Sequence, residues 1–194
     1  MTAENEVKLV KLMVSRAPRP ILEVGVGTGY FAGKVGAEAG LDPSMKMLEI
    51  ARMRGVGLLV RGAGESMPFR DEVIGTVLIV VTLCFVDDPA RVLEESFRVL
   101  RMGGVLVSCI VPRDSPWGEH YTRLGFEGHP FYSKARFLTL GEHEELIRAS
   151  GFEIVESMGT LSYSPFEEPR LEEPSSEVRG KGFVCVKAIK GGGG

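Results

Sequence analysis

The residues best suited to chemistry gather in one stretch of this 194-residue chain, Glu23-Val24-Gly25-Val26-Gly27-Thr28-Gly29-Tyr30. Three glycines at every second position leave a turn without Cβ atoms, so the backbone can bend sharply and a ligand can lie against it. A helix opening near Tyr30 would direct its unpaired N–H groups and positive dipole end towards that turn. Glu23 sets a carboxylate at its edge. An acid beside an open glycine turn suits a small molecule carrying an amine or hydroxyls. A dinucleotide site wants G-x-G-x-x-G; here Tyr30 occupies the third glycine's place and Gly29 falls one position early. A bulky side chain there crowds a pyrophosphate and the close helix–strand packing, which disfavours a nicotinamide-dependent dehydrogenase. A phosphate-free nucleoside with an amino-acid tail fits better. The turn would take the tail, Asp42 the ribose, and Ala63-Gly64-Glu65 would flank the base.

Apolar patterning supplies the elements that must hold these residues. Runs at 21–24, 38–41, 56–60, 76–81 and 105–111 read as strands, and the fourth has the continuous β-branched character of a parallel strand buried on both faces. Helices are expected at 5–14, 30–37, 45–54 and 90–100. Pro43-Ser44 and Asp88-Pro89 open the last two, and Gly103-Gly104 ends the final one and turns into the fifth strand. Thr139-Leu140-Gly141-Glu142 matches a capping box opening a helix to about 149, which Gly151 caps. Two strands, 153–158 and 182–189, close the chain. Repeated βα units predict an α/β fold: a doubly wound, mostly parallel seven-stranded sheet with an antiparallel final strand and helices on both faces. Ligands of such sheets bind outside the carboxyl ends of the strands. The glycine turn, Asp42 and the loops at 62–65 and 81–85 are therefore expected to line one crevice.

The length suits a single domain. Within it, 1–20 reads as an N-terminal helix and 112–137 as a substrate-side insertion that fits no single period. Residues 164–181, rich in Pro, Glu, Ser and Gly, read as a flexible loop, and 191–194 as a disordered tail. A net charge of −3 argues against a general nucleic-acid surface. No apolar run approaches the roughly 18 residues of a membrane span, and the first 14 residues lack a signal-peptide core. Cys84, Cys109 and Cys185 are odd in number and far apart, which argues against a disulfide framework and against zinc; reduced, buried thiols and a cytoplasmic location are expected. The absence of Gln, with Asn5 the sole Asn, points to a heat-adapted source.

In this order and spacing the motifs resemble those of the class I, Rossmann-like S-adenosylmethionine-dependent methyltransferases, and within them the type 11 small-molecule group. The resemblance covers 21–111, with looser similarity through 139–152. It rests on Glu23-Val24-Gly25-Val26-Gly27-Thr28-Gly29, on Leu41-Asp42-Pro43-Ser44 through Met47-Leu48, on 62–69, and on Leu100-Arg101-Met102-Gly103-Gly104. It implies S-adenosylmethionine as cofactor and S-adenosylhomocysteine as its product. It places Glu23, Gly25, Gly27 and Gly29 about the methionine part, Asp42 on the ribose, and Pro43, Met47, Ala63, Gly64 and Glu65 around the adenine, with Thr82 also at the cofactor. Two departures stand out. Relatives usually carry an acid where this chain has Ala63, so Glu65 or backbone groups must meet the adenine amino group. Relatives also tend to open the fourth strand with Phe-Asp, where this chain has Ile74-Gly75, a change bearing more on local stability than on chemistry.

The implied reaction is direct displacement at the sulfonium methyl by a nitrogen, oxygen or carbon nucleophile of a small molecule. It asks for alignment and exclusion of water. No metal or covalent intermediate is needed, and a general base is optional. Phe85, after the fourth strand, and Trp117, Tyr121 and Tyr132, from the aromatic 112–137 stretch, are the expected acceptor wall. The plainer reading of that stretch is a packing flap. His120 is the candidate base, weighed against simple solvation. His143 is expected to be exposed on its helix, Cys84 to serve the core, and Asp87 and Asp88 to cap a helix. The expected partner is a small-molecule methyl acceptor, with neither membrane nor nucleic acid, and the expected assembly a monomer or homodimer. The alternative function is a catalytically inactive S-adenosylmethionine-binding scaffold.

Overall fold

The computed structural model describes residues 1–191. Of the tail expected to be disordered, 192–194 lie outside the described residues. Among the described residues seven strands form one sheet: β1 (Ile21–Val24), β2 (Ala39–Asp42), β3 (Leu58–Arg61), β4 (Ile74–Val80), β5 (Leu100–Ile110), β6 (Phe152–Thr160) and β7 (Phe183–Lys190). Their spatial order is β3-β2-β1-β4-β5-β7-β6. The first five run parallel, and β7 lies antiparallel between β5 and β6. Among the described residues six α-helices surround the sheet: α1 (Thr2–Met13), α2 (Tyr30–Val35), α3 (Met45–Met53), α4 (Pro89–Val99), α5 (Pro116–Phe126) and α6 (Leu140–Ala149). Among the described residues no helix is long and apolar enough to cross a membrane.

Strand alternation divides the core in two. Ile21, Leu78, Val80, Val105 and Val107 meet Leu9, Val10 and Met13 of α1, Ala32 of α2, and Leu48 and Ala51 of α3. Leu22, Val24, Val77, Ile79 and Leu106 point to the other face, against Val92 and Leu93 of α4 and Ile147 of α6. Every residue of β4 is buried, which explains its unbroken apolar run. Each fully buried aliphatic side chain contributes about 1.5–3 kcal/mol, so both helical layers are held firmly to the sheet whose strand ends carry the site.

Several expectations change. Gly103 and Gly104 do not end a helix. Strand β5 begins directly at Leu100, and Gly103, at φ +71°, sits inside it where its pairing with β4 shifts register. Gly75 has a steric reason: a Cβ there would come within 2.5 Å of the Arg19 carbonyl oxygen. The next residue, Thr76, donates its hydroxyl proton to the Pro18 carbonyl at 2.6 Å. The 112–137 stretch contains a regular helix, α5, started by the Ser115 cap and Pro116 at its first position. The chain at 164–181 is tied back at named points. Ser175 bridges to Gly159, Asn5 donates to the Arg170 carbonyl at 2.8 Å, and Asn5 Oδ1 accepts the Glu172 N–H at 2.9 Å.

Two corrections concern chemistry. Cys109 and Cys185 form a disulfide. They are 76 residues apart in sequence but directly opposed in the β5–β7 register, a pairing that spacing alone does not reveal. The premise for a reducing compartment therefore falls, and Cys84 is the one free, buried thiol. His143 is not exposed: it is 0% accessible on the inner face of α6, with Nε2 2.8 Å from Ser108 Oγ of β5. Burial pushes the imidazole down to about 3, so it is neutral.

Candidate binding cleft

The glycine turn joins β1 to α2 with Gly25, Gly27 and Gly29 at φ +72°, +51° and +74°, conformations that side chains rarely adopt. It is locked to the end of β2. The N–H groups of Gly25 and Val26 donate to the Leu41 carbonyl at 2.8 and 3.0 Å. The Gly27 N–H donates to Asp42 Oδ2 at 2.9 Å, while Oδ1 accepts the Ser44 N–H at 2.8 Å. A Cβ on Gly25 would overlap the Thr82 side chain, so the ends of β1 and β4 are also in contact. A Cβ on Gly27 would meet nothing nearer than the Gly25 carbonyl oxygen, 4.0 Å away. Space therefore remains open at Gly27.

Beside the turn lies a cleft of about 270 Å³. Of the residues singled out from sequence, Gly25, Pro43, Ala63, Gly64, Glu65, Thr82 and Phe85 line it; Val24, Leu41, Gly62, Val86 and Asp87 complete it. Glu65 Oε1 accepts the Asp87 N–H at 3.1 Å, joining two walls. The 62–69 loop is fixed from behind. Glu95 accepts the Met67 N–H at 2.7 Å, and Arg98 donates to Glu95 and to the Met67 and Phe69 carbonyls. The Arg98 guanidinium holds the Glu95 carboxyl below the usual carboxylate range. At the end of β4, Val81 stands at φ +50°, a strained conformation for a β-branched residue, held by its N–H to the Cys109 carbonyl at 2.8 Å. Strain of roughly 1–3 kcal/mol at such a place is characteristic of ligand sites.

Glu23 is 2% exposed at the base of the turn. Its Oε2 has no hydrogen-bond partner. Burial raises the carboxyl to about 8, opposed by the Ala32 N–H and reinforced by the Asp42 charge. An unpaired buried acid costs stability; Glu23, with Gly27 and Asp42, adjoins the turn but is not among the residues lining the cleft.

The remaining sequence candidates are spread more widely. Gly29 caps α2 and packs on Ala51, where a Cβ would approach within 2.9 Å. Met47 lies on the exposed side of α3 and is not part of the cleft lining. Phe85 leads from the cleft into an aromatic group, with its ring 4.5 Å from Phe131. Phe131 meets Tyr132 at 5.4 Å, and Tyr132 stacks on Tyr121 at 4.5 Å. Trp117 donates its indole N–H to the Tyr163 carbonyl at 2.6 Å, fastening α5 to the end of β6. His120 contacts Arg123 and the Phe166 ring and is not part of the cleft lining. Sequence reasoning passed over Val86 and gave Asp87 to a helix cap; the cap is Asp88 alone, whose Oδ1 accepts the Arg91 N–H at 3.0 Å, and Asp87 lies in the lining instead.

Residues 22–108 match a methyltransferase-domain family model of the type 11 group. A solved structure from Thermotoga maritima, described as a SAM-dependent methyltransferase and possible histamine N-methyltransferase, superposes with a TM-score of 0.90. It shares 35% identity, with 97% of this chain and 89% of that one covered. The chain belongs to the S-adenosylmethionine-dependent methyltransferases. An uncharacterized protein of Mycobacterium tuberculosis is 40% identical over 95% of the chain, which spans 65% of that relative's length. A demethylmenaquinone methyltransferase of Thermotoga maritima is 29% identical, covering 76% of each. The methyltransferase family match takes in the glycine turn and the cleft but stops within β5. Helices α1, α5 and α6, with the aromatic group, lie outside it.

Proposed function

We propose that this methyltransferase binds S-adenosylmethionine in the cleft beside the glycine turn and methylates a nucleophilic nitrogen, oxygen or carbon of a small molecule. The observation that carries this reading is Glu23, a buried acid with an unpartnered oxygen at the base of a turn left open at Gly27. Those features fit a ligand with an ammonium and a slender aliphatic tail. Bound there, S-adenosylmethionine supplies a methyl group on a cationic sulfur that is readily displaced. Glu23 takes the ammonium, and Gly25, Gly27 and Gly29 let the backbone approach the tail. Asp42 has one backbone N–H on each oxygen, and each oxygen keeps a further lone pair for a ribose hydroxyl. Pro43, Gly64 and Glu65 bound the space for the adenine, with Met47 at its outer edge. Ala63 brings no carboxylate, so polar contacts to the base fall to Glu65 and to backbone groups. Thr82 and Phe85 close the side facing the aromatic group. Exclusion of water there and alignment of the acceptor are what the protein contributes to the reaction.

The test is release of S-adenosylhomocysteine, followed by mass spectrometry, with a panel of amines, phenols, thiols and activated carbon acids. Methylation of one class with matching release supports the proposal. Donor binding without turnover on the whole panel would mark the chain as a binding scaffold instead.

A further inference from the structure

A larger hollow opens where the glycine turn enters α2. It measures about 440 Å³ and is lined by Gly29, Tyr30, Gly33, Lys34 and Arg54, none of which lines the cofactor cleft. Part of its floor is bare backbone. A Cβ on Gly33 would stand 3.1 Å from the Arg54 carbonyl oxygen, so α2 packs closely on the end of α3. Its walls are cationic, and among the described residues no acid lines it. Arg54 is fixed in place: Nη1 donates to the Thr28 carbonyl at 3.2 Å and to the Thr28 hydroxyl at 2.6 Å, and the guanidinium carbon lies 5.8 Å from the Tyr30 ring centroid. Those bonds occupy one nitrogen, so Nε and Nη2 keep their protons for a ligand. Lys34 stands one turn beyond Tyr30 on α2. An adjoining hollow of about 290 Å³ shares Tyr30 and Lys34 and adds Glu4, Val7, Lys8 and Lys11 of α1. There Glu4 is paired with the N-terminal ammonium at 3.0 Å, and Lys8 with Glu173. Among the described residues Lys11, Lys34 and Arg54 enter no ion pair, whereas Lys8 is held by Glu173 and Arg19 by Glu38. Helix dipoles favour a cation in the last turns of α1 and α2. They do not explain why Lys11, Lys34 and Arg54 line joined hollows whose one acid is already paired.

We propose that the larger hollow is a second binding site, built for the phosphate of a phosphorylated small molecule. Lys34 and Arg54 together carry two positive charges, which match the near-dianion of a phosphomonoester at neutral pH. A carboxylate would leave one of them uncompensated. The guanidinium fork binds two oxygens of one phosphate, and Lys34 adds an adaptable point charge. Lys11, on the adjoining hollow, strengthens the field that draws the anion in. The hollow is several times larger than a phosphate ion, which leaves room for an organic body beside the half-buried Tyr30 ring. A net charge of −3 disfavours a phosphodiester chain as the occupant, because such a chain needs cations along a longer path. The site is separate from the cofactor cleft, and its test does not depend on what that cleft binds.

The experiment is calorimetric titration of the full chain at low ionic strength with phenyl phosphate, with benzoate as the monoanion, phenol as the neutral body and a single-stranded oligothymidylate as the phosphodiester chain. Phenyl phosphate is expected to bind at one site per chain, roughly 10-fold or more tighter than benzoate, with no heat from phenol. Lys34→Gln is expected to weaken phenyl phosphate roughly 5-fold or more. Lys34 is exposed and makes no side-chain hydrogen bond among the described residues, so this variant reads the site and not the fold. Arg54→Lys keeps the charge but loses the fork, and is expected to weaken binding while narrowing the preference over benzoate. Lys46→Gln, an exposed cation of α3 outside the lining, is expected to change nothing. No binding of phenyl phosphate, benzoate bound equally well, or affinity untouched by Lys34→Gln would each overturn the site. Equal weakening by Lys46→Gln would overturn it too, as attraction to overall surface charge. Oligothymidylate bound more tightly than phenyl phosphate, and lost in the Lys34 variant, would overturn the small-molecule assignment in favour of a phosphodiester chain.

Discussion

Under the proposed function, Glu23 turns cofactor binding into a proton measurement. With its carboxyl raised to about 8 by burial, about nine in ten unligated chains hold it protonated at pH 7. A cation brought against a carboxyl lowers its pKa by roughly 1–3 units. Binding the ammonium of S-adenosylmethionine at pH 7 is therefore expected to release between roughly 0.4 and 0.9 proton. Calorimetry in two buffers of different ionisation enthalpy reads that number directly. Glu23→Gln is expected to release none and to bind roughly 10- to 100-fold more weakly, having lost a charge-assisted hydrogen bond. The same group sets a stability slope. Its folded value lies above the ordinary 4.5, so its favourable contribution is complete below pH 4.5 and is lost as pH rises through 8. Relative to the Gln variant, wild type is expected to lose about 1.4 kcal/mol per pH unit across that window, about 5 kcal/mol at most. Urea unfolding at a series of pH values measures it. Equal proton release by wild type and variant, or parallel stability curves, would refute the assignment of Glu23.

Other predictions follow from single contacts. Gly25→Ala is expected to cost about 2–5 kcal/mol, because its Cβ overlaps Thr82 at a positive φ. Gly27→Ala should cost only about 1–2 kcal/mol yet weaken cofactor binding at least roughly 10-fold; denaturation and calorimetry on both variants would expose the reverse ranking. Arg98→Ala leaves buried Glu95 only its longer 3.6 Å contact with Arg91 and frees the loop that lines the cleft, for a loss of roughly 2 kcal/mol in urea unfolding; a change under roughly 0.5 kcal/mol would contradict that role. His143 is depressed from 6.5 to about 3, so its contribution is complete above pH 6.5 and shrinks as pH falls towards 3. Wild type is expected to lose about 2 kcal/mol between pH 7 and pH 5 relative to His143→Gln, and identical pH dependences would rule this out. Alkylation of the unfolded, unreduced chain should mark Cys84 alone, whereas three modified cysteines would show the disulfide to be absent.

Much of the glycine turn and the sheet around the proposed donor cleft is legible in the sequence because local rules write it. A left-handed turn demands glycine, so Gly25, Gly27 and Gly29 announce their own geometry. A strand buried on both faces reads as a near-continuous apolar run, as 76–81 does, and the buried strand occupies 74–80. Asp42 follows from its place at a strand end. What escapes reading depends on distant partners. His143 sits in a correctly placed helix, but only the approach of Ser108 from β5 explains its burial. Cys109 and Cys185 become neighbours only through the β5–β7 register. The aromatic spacing of α5 hides behind Pro and Gly, although Ser115-Pro116 is a sound start signal.

Titration of the purified chain with S-adenosylmethionine, with NADH as the competing cofactor class, is the most direct test of the cleft. One saturable site per chain for S-adenosylmethionine, displaced by S-adenosylhomocysteine and weakened by Gly27→Ala, with no heat from NADH, is the predicted result. No saturable binding of S-adenosylmethionine at millimolar concentration would contradict it.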